Sequence, residues 1–584
     1  GAGNQPLYQA EVRLLMNNVL SDSKQITFGV RHIEFVPNDT ERDALPYTLR
    51  VNGRKLYING WNWVPIDLLY GVERPHKLAH LLNLAQQAHV NMLRVWGGGL
   101  IEKEALYKLC DQLGILVWQE FIQSSSGIDN NPSTDPEFRQ MMVAEAVAII
   151  RRKRNHPALA IWCGGNELQS GPERPLDNTH PTLAALQTAV NIHDPDRHWL
   201  PTSPTGPVFS NTMENINADP NSLHDVHGPW EYQGVVDQYT LYNRGTSLLH
   251  SEFGVEGITN LRTLNTVIAP ENQQPVSLDN PLWHHLGAWW LPMQAWQDAF
   301  GDELADVKTA VHAAQFIQAA ALGYAIEANR RRQYENSGSL PWQFNEPYPM
   351  AACTSAVDYY GRPKPVYYAV AQAFAPLTVT AKFARQAWGG EAEFVAEIWV
   401  SNGGERPLSA RLELELAGLS GEKFAQKNEV VNCLPNVSKP LCTISLPLDE
   451  IGQNIFILNL AIRQSGDLLA QNRYLFSSAS NMAPLLAAPA TTLDVTQEGP
   501  KLKICNTGSV AAISVWLEDG RSLDQPGYIT FDKNYFHLLP GETLTVEPGW
   551  ADTGYSGGAI EVAALNAPIV KTFINVKKNI YSVK

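Results

Sequence analysis

Between Lys55 and Phe374 the chain alternates short apolar runs with segments of helical period. The runs Leu56–Trp61, Met92–Trp96, Ile115–Trp118, Ala158–Trp162, His198–Thr202, Leu223–His227, Leu248–Ser251 and Ser339–Phe344 are bounded by turn residues and read as buried strands. Pro75–His89, Lys103–Leu113 and Pro136–Arg154 carry apolar residues at helical spacing, and Pro75 suits a helix start. Strands and helices in this alternation predict a (β/α)8 TIM barrel. A doubly wound sheet is the rival, but no Gly-x-Gly-x-x-Gly turn follows the first strand.

The flanks have a different period. Gln9–Leu15 and Gln25–Phe35 alternate polar and apolar residues, with a turn predicted over Asn17–Ser23. Two strands do not make a stable sandwich. This hairpin must lean on the next domain or meet strands carried on another piece. After Pro376 the period is again two, in Thr378–Lys382, Glu393–Val400, Ala410–Leu416 and Ile455–Ile462, with turn signals at Gly403-Gly404 and Asp519-Gly520. That pattern predicts two β-sandwich domains that meet near Ser480–Pro489. The expected layout is a strand pair over 1–45, the barrel over 46–375, one sandwich over 376–483 and another over 484–584.

Composition mainly excludes. With 44% apolar and 18% charged residues, the chain can bury a large core without staples. A net charge of −15 disfavours nucleic acid as a partner. No apolar run reaches the roughly 18 residues of a membrane helix, and no signal-peptide pattern opens the sequence. Six cysteines form no Cys-x-x-Cys pair, so neither a metal nor another cofactor is expected. Cys433 and Cys442 are a candidate pair across a hairpin.

In a barrel, reacting groups follow the C-terminal ends of strands. Gly164-Gly165-Asn166-Glu167 follows the fourth strand, and His250-Ser251-Glu252-Phe253-Gly254 closes the seventh. Two carboxylates facing each other across a barrel mouth, about 5–5.5 Å apart, are what a retaining glycosidase needs. A lone Glu after a strand is more simply a surface-loop residue; the two contexts together favour chemistry.

On these motifs the sequence resembles glycoside hydrolase family 2, in its β-mannosidase branch. The resemblance also rests on Asn91-Met92-Leu93-Arg94-Val95-Trp96-Gly97-Gly98-Gly99, Trp342-Gln343-Phe344-Asn345-Glu346-Pro347 and Asp358-Tyr359-Tyr360-Gly361-Arg362-Pro363-Lys364. It implies immunoglobulin-like sandwiches around the barrel, with residues 1–45 as the last hairpin of one of them. It makes Glu167 the acid/base and Glu252 the nucleophile. Asn166 would hold the sugar 2-hydroxyl, and Arg94 would keep Glu252 ionised and its pKa low while Glu167 is raised. The implied substrate is a terminal β-mannoside. A β-galactosidase or an exo-β-glucosaminidase shares the chemistry, and a non-catalytic carbohydrate-binding subunit is the reading from another class. The implied partners are a carbohydrate and a companion chain or fragment that completes the N-terminal domains.

Twelve of the sixteen tryptophans lie before residue 343. Trp63, Trp96, Trp118, Trp162, Trp230 and Trp342 sit at or near strand ends, where each is either core or a sugar platform. Trp342 is the expected sugar floor, with Asn62, Asp67 and His227 as hydroxyl partners. The insert Val255–Asp306, with Trp283, His284, His285, Trp289 and Trp290, is expected to form a rim or lid. Gln123-Ser124-Ser125-Ser126-Gly127-Ile128 departs from the β-mannosidase pattern and bears on which sugar is taken.

Overall fold

The computed structural model describes residues 3–124, 130–301, 304, 306–522, 525–551 and 557–575. The serine-rich stretch 125–128 therefore lies outside the described residues. The chain resolves into two compact units. One comprises Gly1–Pro229, Gly245–Phe253 and Gln333–Phe344; the other comprises Trp230–Arg244, Gly254–Arg332 and Asn345–Lys584.

The first unit holds the strands of a TIM barrel: β1 (Ile58–Trp63), β2 (Met92–Val95), β3 (Leu116–Glu120), β4 (Leu159–Cys163), β5 (His198–Leu200), β6 (Asp225–His227), β7 (Leu249–Glu252) and β8 (Gly338–Ser339). All ladders are parallel and run β5-β4-β3-β2-β1-β8-β7-β6, which is the cyclic order of a barrel. Beyond the end of β5 the chain returns to β6. The His227 N–H donates to the Phe209 carbonyl at 2.9 Å, and the Asn211 N–H donates to the His227 carbonyl at 2.9 Å. The register sets Asn62 beside Arg94 and Arg94 beside Trp118.

The helices that follow β1, β2 and β3 end within two residues of the sequence reading, at Pro75–Gln87, Glu104–Leu113 and Pro136–Lys153. Local chemistry fixes these limits. Asp135 caps the third by accepting from the Glu137 and Phe138 N–H groups, both at 2.9 Å. Gly114 ends the second in the left-handed conformation, at φ 71°.

The N-terminal strands differ from expectation. Tyr8–Met16 pairs with Val19–Phe28 through a two-residue turn, with Asn17 and Asn18 at φ 52° and 64°. Asparagine tolerates that conformation, so this turn is far tighter than Asn17–Ser23. The second strand stops at Phe28, and Ile33–Val36 joins a separate three-stranded sheet with Thr48–Val51 and Arg54–Leu56.

In the second unit, a three-stranded antiparallel sheet (Leu377–Phe383, Glu393–Asn402, Val437–Pro447) packs on a four-stranded one (Lys423–Cys433, Leu408–Gly418, Ile455–Gln464, Asp467–Ser477). Phe394 of the first meets Phe456 and Phe476 of the second at ring distances of 5.2 and 4.9 Å. Cys433 and Cys442 lie on strands of different sheets, because the chain crosses the sandwich at residues 434–436 instead of turning back as a hairpin; both thiols are free. A second set of antiparallel strands follows from Leu493, around a core that includes Ile504, Leu517 and Trp550. The insert Val255–Asp306 carries the helices Leu261–Val267, Pro281–Gly287 and Met293–Phe300. Trp283 is buried there and donates to the Gln273 carbonyl, whereas Trp289 is exposed. Among the described residues no helix is long and apolar enough to cross a membrane.

Candidate active site

Glu252 ends β7, Glu120 ends β3 and Arg94 lies within β2. Glu167 lies in the turn after β4, at φ 55°, a conformation a non-glycine residue adopts only under constraint. The constraint comes from both neighbouring strand ends. The Asn166 N–H donates to the Gln123 carbonyl at 2.9 Å and the Glu167 N–H to the Ser203 carbonyl at 2.7 Å. Gly164 lets the chain pass so close that an added Cβ would lie 2.1 Å from the Pro201 carbonyl oxygen.

Arg94 is fully buried, and its fork is shared among four side chains. Nη1 donates to Glu252 Oε2 at 2.6 Å and to Asn62 Oδ1. Nη2 donates to Asn166 Oδ1 at 2.5 Å and pairs with Glu120 Oε1 at 2.9 Å, while Nε donates to the same Glu120 oxygen at 3.0 Å. One guanidinium thus serves two buried carboxylates. Burial raises the Glu252 carboxyl above the usual carboxylate range, and the nearby Glu167 charge pushes the same way; Arg94 opposes the rise without cancelling it. Arg94 therefore acts in the expected direction, but the carboxyl is not held low, because burial outweighs it.

Glu167 Oε1 lies 2.9 Å from His227 Nδ1. The chain of contacts continues from His227 Nε2 to Ser203 Oγ at 3.0 Å and on to Ser251 Oγ at 3.0 Å. Burial lowers the His227 pKa to about 3, so the ring is neutral at physiological pH and acts as a hydrogen-bond partner rather than a cation. Donor atoms of Glu167, His227 and Glu252 lie within 4.8 Å of one another. Such a set can hold a cation; the Arg94 guanidinium already lies against its Glu252 edge.

Comparison with known proteins follows the same lines. Residues 46–255 match the description "Glycosyl hydrolases family 2, TIM barrel domain". Residues 395–479 match a "Mannosidase Ig/CBM-like domain" and 486–548 an "Ig-fold domain". Residues 46–255 thus form a glycoside hydrolase family 2 TIM barrel domain. The chain is 26% identical over 502 residues to the β-mannosidase B of Aspergillus niger, covering 81% of this chain and 58% of that protein. Over 600 residues it is 24% identical to the β-mannosidase of Rattus norvegicus, covering 95% of this chain and 65% of that one. The crystal structure of a β-D-mannosidase from Dictyoglomus thermophilum shares the fold with a TM-score of 0.80 at 23% identity, over 97% of this chain and 67% of that one. An exo-chitosanase of Amycolatopsis orientalis shares it with a TM-score of 0.78 at 17% identity, over 98% and 69%. The chain thus spans somewhat more than half the length of the fungal relative.

Within this family 2 barrel, the residues predicted around the glutamates take different places. Arg94 and His227 meet the glutamates directly, and Asn166 meets Arg94. Trp96 and Trp342 are half-buried and meet edge to face at 5.1 Å. The others are committed elsewhere. Asn62 spends its amide N–H groups on the Ser251, Leu340 and Pro341 carbonyls, so it acts as a brace across the strands and not as a hydroxyl partner. His227 is likewise held by Glu167 and Ser203 rather than offered to a hydroxyl. Trp63 is buried against Phe344 and donates to Glu102; Trp118 is buried in the barrel core with Arg94 over its ring at 5.7 Å. Asp67 accepts from the Leu69 N–H and from Arg74, which organises its own loop. Trp230 is half-buried and belongs to the second unit. Sequence reasoning missed Glu120. The strand-end rule that found Glu252 would have found it, since it lies two residues beyond the third apolar run.

Proposed function

We propose that this chain carries the active site of a retaining exo-β-glycosidase that removes terminal, non-reducing β-mannosyl residues. The observation that carries the proposal is the pair Glu167 and Glu252, with carboxylate oxygens within 4.8 Å of each other, one in the turn after β4 and one at the end of β7. That spacing leaves room for a sugar carbon between them but none for the additional water of an inverting site, where about 6.5–9.5 Å is needed. The mannoside assignment draws on the relatives, which are β-mannosidases.

In the first step a Glu252 oxygen attacks the anomeric carbon. The bond to the aglycone oxygen breaks, and that oxygen takes the Glu167 proton. In the second step Glu167 removes a proton from water, the water oxygen attacks the same carbon, and Glu252 leaves as carboxylate. Arg94 orients Glu252 and offsets its charge. Asn166, fixed by Arg94 through its Oδ1, keeps its amide N–H groups for the sugar 2-hydroxyl and for Ser124.

We assign residues 46–375 to the catalytic barrel, with sandwich domains over 376–483 and 484–584. The hairpin Tyr8–Phe28 exposes Val12, Leu14, Met16 and Val19 to more than half their surface, and strands of a companion segment would cover them. Intact-mass and size measurements on the purified active enzyme test this: a fully active single species of this mass, monomeric, contradicts it.

A panel of nitrophenyl β-glycosides, assayed with any companion segment that copurifies, tests the activity. Preferred hydrolysis of the β-mannoside is expected. Preference for β-galactoside or β-glucosaminide would overturn the choice of sugar, and hydrolysis of none would overturn the enzyme reading.

A further inference from the structure

A third carboxylate, outside the acid/base and nucleophile pair, is built into this site. Glu120 is completely buried at the end of β3. Its Oε1 accepts from Arg94 Nε at 3.0 Å and lies 2.9 Å from Nη2; its Oε2 accepts from the Gly97 N–H at 2.8 Å. The Cys163 thiol approaches Oε1 at 3.5 Å. The Gly97 contact depends on the glycine. A Cβ there would lie 2.7 Å from the Gln123 carbonyl oxygen and 2.8 Å from that of Phe121. Only a residue without a side chain brings this amide to the end of β3.

A guanidinium on three methylenes has several ways to meet a single carboxylate. Here the edge formed by Nε and Nη2 is held by Glu120, which leaves Nη1 aimed at Glu252 and the outer N–H of Nη2 aimed at Asn166. Planarity then ties the two aims together.

We propose that Glu120 is the positioning residue of this active site, holding the Arg94 fork in the orientation that serves Glu252 and Asn166 at once and taking part of its positive charge. The proposal rests on the assignment of Glu252 as nucleophile and Glu167 as acid/base. Without Glu120, Arg94 would give its whole charge to Glu252, which would ionise more readily but sit less firmly.

The test compares wild type, Glu120→Gln and Glu120→Asp in the intact enzyme. Thermal melting and the pH profile of kcat/KM on the preferred nitrophenyl β-glycoside are measured for each. Glu120→Gln should lower kcat about 100-fold, the scale of a small misplacement of reacting groups, with KM changed less than threefold. Its acid limb, which reports Glu252 ionising, should move to lower pH. Glu120→Asp keeps the charge, so it should lower kcat while leaving the acid limb at its wild-type position. An unchanged kcat and limb in Glu120→Gln would overturn the proposal. So would variants that fail to fold or melt far below wild type, because Glu120 would then be structural. An inactive wild type, or an active Glu252→Ala, would instead overturn the underlying assignment.

Discussion

Arg94 Nη1 lies 2.6 Å from Glu252 Oε2 with both side chains out of water, and the same guanidinium meets Glu120 at 2.9 Å. Removing it strands two carboxylates. Arg94→Met should lose about 10²–10³-fold in kcat, the scale of one preorganised electrostatic partner, with little change in KM. Arg94→Lys should not recover the loss, because a point charge cannot serve four acceptors on two edges. Stability should also fall, by about 3–5 kcal/mol for an uncompensated buried charge. The folded state of Arg94→Met would hold protons on these carboxyls that the unfolded chain releases. Its stability deficit should therefore widen as pH rises above about 4.3, the ordinary glutamate value. Melting curves at several pH values check the sign.

Gly97→Ala should be costly although the change is one methyl group. The Cβ would press on the Gln123 and Phe121 carbonyl oxygens at 2.7 and 2.8 Å. Overpacking of this kind costs about 1–3 kcal/mol, and relief requires moving the Gly97 N–H away from Glu120. Loss of activity should exceed what the melting temperature alone accounts for. Wild-type kcat in a destabilised Gly97→Ala protein would contradict the link from Gly97 through Glu120 to Arg94.

His227 faces Glu167, so its effects should follow proton donation. His227→Ala should slow hydrolysis of alkyl or unsubstituted phenyl β-glycosides by about 10²-fold or more, in the range of general acid catalysis. Dinitrophenyl β-glycosides, whose leaving group needs no proton, should be affected much less in the first step. Equal losses across the leaving-group series would place His227 in a purely structural role.

The fold was legible wherever one physical signal dominated. Apolar runs followed by helical periods place the barrel strands, and proline or aspartate at helix starts places the helices. β8 is an exception: the run Ser339–Phe344 marks the place, but only Gly338–Ser339 keeps a ladder. That Glu167 and Glu252 come together was legible because each stands at or just beyond a strand end in a specific context. Residue type alone misleads for Asn62, Trp63 and Asp67. It tells what a side chain can donate or accept, not that a neighbouring carbonyl or carboxylate already holds it. The Cys433–Cys442 pairing failed for a related reason. Consecutive strands read as a hairpin, whereas sandwich topology sends the second strand to the other sheet.

Glu327 supplies a pH test away from the active site. Burial pushes its carboxyl up to about 7, while Asn472 and Tyr474 each hydrogen-bond it at 2.8 Å. The folded state keeps a proton that the unfolded chain gives up near pH 4.3. This contribution is fully present below the unfolded value and is lost as pH rises towards about 7. Glu327→Gln keeps a neutral, hydrogen-bonding side chain. Its stability relative to wild type should rise across that window, by at most about 1.4 kcal/mol per pH unit. Parallel stability curves would show that Glu327 does not titrate there.

The two roles assigned to the glutamates are separated most directly by azide rescue. Glu167→Ala and Glu252→Ala are each assayed on a dinitrophenyl β-glycoside of the preferred sugar, with and without sodium azide, and the anomeric configuration of the product is read by NMR. With Glu252 as nucleophile, Glu167→Ala still forms the glycosyl-enzyme, and azide should restore turnover and give the β-glycosyl azide. Glu252→Ala should give no β-glycosyl product with or without azide. A β-glycosyl azide from Glu252→Ala, with no rescue of Glu167→Ala, would contradict the assignment.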